Sequence, residues 1–340
     1  MSEKINKRSR SIYTVNEKSA PELKSRPVAA PPATTSSQPN FTERKVKDYT
    51  PEWRKVPSVG SFGDFDRGEV APMAPLYKAI PGELYYSNSN TSQDSYTPGM
   101  AVATPHGTMS LRLANDIKID ISVDSSIRVI NKRNNVVIAL NQYGCTSAFL
   151  HPHGRIYQNG SKVEMLVYDQ LSGNNKMAKM WYKGVSFQSD FSALVYLVDA
   201  AGTRSTTDTF RDLSPDFSLS VFYEESRHGP AYIQETVSTL QKAIYWVTDS
   251  GVENWKIKDM CITQARGIVN IYRKDTKYQI KTGNSSSAML TTPFIHCTAS
   301  PEHMFVRRGD RRMHFDGVNF IVRNAGHSAG FDELNNLKIF

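Results

Sequence analysis

A serine framed by glycines, Gly326-His327-Ser328-Ala329-Gly330, has the G-x-S-x-G spacing of a nucleophile elbow. In such an elbow a strand-to-helix turn presents the serine hydroxyl to a histidine that an acid orients. The other parts are missing. Ten residues follow Gly330, and they contain Asp332 and Glu333 but no histidine, so the acid-then-histidine order of an α/β-hydrolase cannot be completed. The expected setting for Ser328 is a glycine-rich loop of a β domain, and a serine hydrolase ranks last among the functional readings.

His151 and His153, with His296, Cys297 and His303, supply the imidazole and thiolate that zinc favours. Their spacing does not match a zinc module. No Cys-x₂-Cys or His-x₃-His pair occurs, and Pro152 makes His151 to Gly154 read as a turn. Cys297 follows Phe294 and Ile295 and reads as a small buried residue. No metal is expected.

The densest recognition chemistry is Arg307-Arg308-Gly309-Asp310-Arg311-Arg312, with Arg323 close behind. Four planar guanidinium forks around one turn suit carboxylate or phosphate. Alternate arginines could also lie on a solvated face and pair with acidic neighbours. Basic and aromatic residues interleave at Lys179-Met180-Trp181-Tyr182-Lys183 and at Ile271-Tyr272-Arg273-Lys274. This pattern suits stacked bases, but strands also use it for core and cross-strand pairs. No phosphate-binding Gly-x₄-Gly-Lys-Ser/Thr loop and no Gly-x-Gly-x-x-Gly fingerprint is present, so no cofactor is expected.

The elements that must position these residues are short strands. Ile117, Ile119, Ile121 and Val123 alternate with Lys118, Asp120 and Ser122, as in a strand with one buried face. Strand, turn and strand then follow through Leu150 to Val167 with no room for a crossover helix, which specifies an antiparallel meander. Triplets such as Pro152-His153-Gly154, Asp249-Ser250-Gly251, Arg307-Arg308-Gly309 and Phe315-Asp316-Gly317 place glycine where a tight turn calls for positive φ. Phe217 to Tyr223 reads as another strand. Pro230 starts an amphipathic helix over 230–243, with Ile233, Val237, Leu240 and Ile244 at helical spacing. Strand signals resume after it.

Composition divides the chain unevenly. Twelve of the seventeen prolines fall in the first 105 residues, and residues 1–55 hold twelve Lys or Arg against six Asp or Glu. Most of the net charge of +8 therefore belongs to a basic, Pro/Ser-rich arm, expected to be disordered over 1–107. Within it, 51–105 carries Trp53 and Tyr77 among several aromatics and reads as a docking segment. The globular domain is expected over 108–340, in halves of about 108–225 and 245–340. Three widely spaced cysteines and a charged N-terminus without an apolar run point to an intracellular chain, cytoplasmic or nuclear.

Leu150-His151-Pro152-His153-Gly154, continuing to Tyr157-Gln158-Asn159-Gly160, resembles the hydrophobic-Pro-Asp-Gly and aromatic-Pro-Ser-Gly hairpins of the C-terminal β domain shared by glutamate-rich protein 6 and sperm-associated antigen 17. The resemblance covers residues 145–200. His153 stands where that family has Asp, Asn159 stands where it has Ser, and the acidic low-complexity region that precedes the domain there is lacking. It implies a non-catalytic protein of cilia or the sperm axoneme.

The sequence therefore predicts a mainly β fold of antiparallel meanders in two halves with one packed helix. Its expected function is protein interaction or scaffolding, with Arg307, Arg308, Arg311 and Arg312 as partner contacts and Trp53 and Tyr77 as anchors in the arm. The alternative is a nucleic-acid-associated protein whose arm contacts phosphates.

Overall fold

Alternation of apolar and polar residues dictates one buried face per strand, and the chain resolves it with two sheets laid face to face. The computed structural model describes residues 98–340 except Leu171, together with the backbone of Leu76–Ala79. The expected arm up to residue 97, including Trp53, otherwise lies outside the described residues. Tyr77 stands in the strand Leu76–Ala79, which pairs in parallel with Met100–Ala103.

The first sheet has thirteen strands in chain order, from Leu76–Ala79 to Gly202–Thr206, and the second has twelve, from Ile244–Val247 to Leu337–Ile339. All pairings after the first are antiparallel neighbours in sequence, the meander that the short glycine turns predict. One row of apolar residues crosses the first sheet: Ala101, Leu111, Ile119, Val129, Ile138, Phe149, Ile156, Met165, Ala178 and Phe187 are successive cross-strand partners. A matching row crosses the second through Tyr245, Trp255, Ile262, Ile271, Ile280, Leu290, Cys297, Val306, Met313, Val322 and Ala329. Both rows are buried in a single hydrophobic cluster, so the two sheets form the layers of a sandwich.

Polar side chains at the hairpin ends lock the two layers in register. Gln264 exchanges hydrogen bonds with the backbone of Ala114 at 3.2 and 3.0 Å, and Asn131 Nδ2 donates to Gly283 O at 3.1 Å. Asn324 Nδ2 donates to Val198 O at 3.1 Å, and Arg273 Nη1 to Gln142 O at 2.9 Å. Each bond gives a backbone carbonyl of one layer a donor from the other. They also show that the sheets run in the same strand order, because early strands of one meet early strands of the other. Gly154 sits at a close approach between them, where a Cβ would fall 2.3 Å from Leu166 O and from Met304 Sδ. Packing, not positive φ, requires glycine there, unlike Gly309 at φ +57 in the turn between Arg308 and Arg311.

Residues 207–243 return the chain from the last strand of the first sheet to the start of the second. Here the expected strand over Phe217 to Tyr223 is corrected to a helix, α1 (Ser218–Tyr223). Its buried residues Ser218, Val221 and Phe222 follow helical spacing, while Leu219 is exposed. The expected helix over 230–243 becomes a 3₁₀ turn at Pro230–Tyr232 followed by α2 (Ile233–Gln241). Ile244 begins the next strand instead of extending the helical stripe. Among the described residues no helix is long and apolar enough to cross a membrane.

Candidate interaction surface

The outward face of the second sheet carries the arginines. Arg307 lies opposite Arg312, and Arg312 lies opposite Arg323, so three strands place three guanidinium side chains in one cross-strand row. All three residues are exposed. Arg323 Nε donates to Ser328 Oγ at 2.9 Å, which continues the row onto the next strand. Arg307 and Arg312 make no hydrogen bond or ion pair among the described residues. Like charges directly opposite on a sheet repel.

The other two expected contacts point elsewhere. Arg308 and Arg311 face each other on the opposite side of the same hairpin. Arg311 Nη1 donates to Trp181 O of the first sheet, and its Nε donates to Asn324 Oδ1 at 3.1 Å. Arg311 is thus part of the lock between the layers, and burial followed by repulsion from Arg308 pushes its pKa down. The Arg308 Nε is buried without a hydrogen-bond partner among the described residues. The hairpin therefore divides the four arginines, two outward and two inward, and the outward pair gains Arg323.

Beside the arginine row lies a patch of Phe305, His303, His314 and His296. His303 and His314 have ring centroids 4.7 Å apart, and Phe305 lies 6.1 Å from His314 and 6.1 Å from His296. Burial, then the neighbouring His314, lowers the His303 pKa to about 4, and burial lowers that of His314. Cys297 points to the other face, fully buried, with its thiol pushed up by burial. It therefore cannot join His296 and His303 around one ion. His151 is also buried and holds Ser286 O at 2.7 Å between the layers, with its pKa lowered to about 4 chiefly by burial. Among the described residues, no three His, Cys, Asp or Glu side chains are grouped to hold a metal.

Ser328 is corrected from a loop to the strand His327–Phe331, where it is 5% exposed and bound to Arg323. Gly330 is small because a Cβ there would lie 1.8 Å from Phe320 O. The G-x-S-x-G spacing reflects strand packing rather than an elbow. The basic-aromatic run at Lys179 to Lys183 is also internally engaged: Lys179 Nζ sits 4.3 Å and Lys183 Nζ 4.7 Å from the Trp181 ring centroid, and Trp181 Nε1 donates to Ser186 Oγ at 3.0 Å. In the sequence Arg323 is only near the cluster, with nothing to set its register. Knowledge of the hairpin turn between Phe315 and Phe320 fixes that alignment.

Residues 99–337 match the family described as Domain of unknown function (DUF8796). The chain belongs to this family. No curated protein matches it significantly. Among solved structures, the wild-type TCP10 domain of Danio rerio CPAP is 10% identical, covering 71% of this chain and 98% of that one at a TM-score of 0.20. The G-box domain of the microcephaly protein CPAP is 8% identical, covering 68% and 97% at a TM-score of 0.20. The Danio rerio TCP10 domain in complex with a STIL peptide is 9% identical, covering 68% and 98% at 0.18. Superpositions this loose carry no functional inference.

Proposed function

We propose that this chain is a protein-interaction module of scaffold type, which binds an acidic protein through the outward face of its second sheet. The observation that carries the reading is the row of Arg307, Arg312 and Arg323, opposed across three strands and exposed without a carboxylate partner among the described residues. Folding alone gives no reason to align like charges, whereas a ligand bearing carboxylates does. A setting in a cilium or axoneme rests on the hairpin resemblance of residues 145–200, and the arm with Trp53 and Tyr77 would add a second contact.

The reading is tested by affinity capture on the full chain after nuclease treatment of the extract. The wild type is compared with Arg307→Ala/Arg312→Ala/Arg323→Ala and with Lys256→Ala, an exposed cation elsewhere on the face. Proteins retained by the wild type and the Lys256 variant but lost by the triple variant are expected. Equal capture by all three proteins, or capture that nuclease abolishes, would overturn it.

A further inference from the structure

The first sheet shows how this fold covers such a row. Glu164, Lys179 and Ser186 are successive outward partners on Lys162–Val167, Lys176–Trp181 and Gly184–Ser189. The return segment crosses them. Asp208 accepts from Ser186 Oγ, Thr209 O accepts from Lys179 Nζ at 2.7 Å, and Arg211 meets Glu164 at 3.5 Å. Three residue steps along this segment, from Asp208 to Arg211, therefore carry it over two gaps between strands. Two gaps of about 4.8 Å make roughly 10 Å, the length of three extended residues at about 3.3 Å each. An extended chain laid perpendicular to the strands is thus matched to the sheet.

The second sheet has the same spacing with cations only. Its three arginine-bearing strands lie against the same end of the sandwich, as the bond from Arg311 to Trp181 O shows. From this we infer that Arg307, Arg312 and Arg323 hold an extended acidic peptide segment of a partner protein, lying across His303–Arg308, Arg311–Phe315 and Phe320–Asn324 as Asp208–Leu213 lies across the first sheet. The inference rests on the interaction reading above and specifies the ligand's shape and charge. Carboxylates three residues apart in an extended segment span the distance from Arg307 to Arg323. Phe305 and Ile321, on the same face two residues along their strands, flank the segment with apolar surface.

The test is fluorescence anisotropy on the full chain with a labelled peptide of repeating Glu-Pro-Pro. This peptide holds an extended helix with a carboxylate about every 9 Å. It is compared with an alanine-rich helical peptide carrying the same number of Glu residues, with oligo-dT and with inorganic phosphate as competitor. Binding of the extended peptide is expected, about tenfold or more weaker in Arg307→Ala/Arg312→Ala/Arg323→Ala. The helical peptide and oligo-dT should bind less tightly. Arg312→Glu serves as a second variant, and circular dichroism verifies that both variants are folded. Equal or tighter binding of the helical peptide or oligo-dT, or arginine-independent binding, would overturn the inference. If neither acidic peptide binds while protein capture still depends on the three arginines, the extended-segment inference falls and the interaction reading stands. Loss of that dependence in capture removes both.

Discussion

The two sheets share one architecture but treat their outward faces differently. On the first, Tyr157, Ala148 and Ala139 lie under Phe217, Val221 and Leu213, and the outward Arg128 meets Ser218 Oγ at 2.9 Å and Asp216 at 3.6 Å. Arg128, Glu164 and Lys179 there are each answered from within the chain, and the Tyr157 and Phe217 rings pack at 5.0 Å. On the second, the outward arginines meet one another. Strand pattern alone makes a half-buried sheet. Whether the other half is used for stability or left for recognition depends on what the connecting segment does.

The difference is most easily broken on the covered side. Leu213→Ala removes a residue that is 4% exposed under the return segment and should cost about 2–5 kcal/mol in a denaturant titration. Ile321→Ala, on the outward face of the second sheet, should stay nearer about 0.5 kcal/mol, as surface changes do. Similar losses at the two sites would mean that the faces are not distinct. Arg311→Ala sharpens the division within one hairpin. It leaves Trp181 O and Asn324 without their charged donor and should cost about 1.5–3 kcal/mol, while Arg307→Ala changes stability little. The opposite ranking would place the layer lock elsewhere.

Much of this architecture was legible because β alternation is a local signal. Ile117 to Val123 announces a strand by itself, and glycine turns at short intervals leave only a meander. The helix at Ser218–Tyr223 was not legible: Phe217, Leu219, Val221 and Tyr223 also alternate, and only packing on the first sheet selects the helical face. Ser328 misled because glycine is required there by backbone approach, which leaves the same letters as an elbow. The arginine cluster was visible as composition, but its division was not. Which of Arg307, Arg308, Arg311 and Arg312 point outward depends on register, and the three-strand row appears only when Arg323 is aligned beside them.

Acid should act on the histidines beside the arginine row and leave the arginines themselves charged. Burial holds His303 neutral in the folded protein, with its pKa lowered to about 4, while the unfolded chain takes up a proton near pH 6.5. Stability should therefore be unaffected above about pH 6.5 and fall progressively below it, because the unfolded state binds more protons there. His314 and the interlayer His151 shift in the same direction, with Asp316 opposing weakly at His314. Tm measured between about pH 7.5 and 5 should drop in the wild type and less in His303→Gln/His314→Asn. Parallel profiles would remove these two residues as the cause.

The smallest expected effect is the most discriminating. Arg312 stands between Arg307 and Arg323, so Arg312→Glu turns two like-charge cross-strand neighbours into two opposite-charge ones. Each such pair is worth roughly 0.2–1 kcal/mol on a sheet, and exposure to solvent keeps the gain toward the lower end. The variant should therefore unfold at slightly higher denaturant than the wild type, with an unchanged slope. The gain should shrink as salt screens the row. A residue retained for folding would behave in the opposite way, losing stability when its charge is reversed. A row kept for a ligand carries its repulsion as the cost of recognition, and a more stable Arg312→Glu that no longer binds the acidic peptide separates those two roles. A clear loss of stability would instead mean that Arg312 is held by carboxylates, and the contrast between the two faces would disappear.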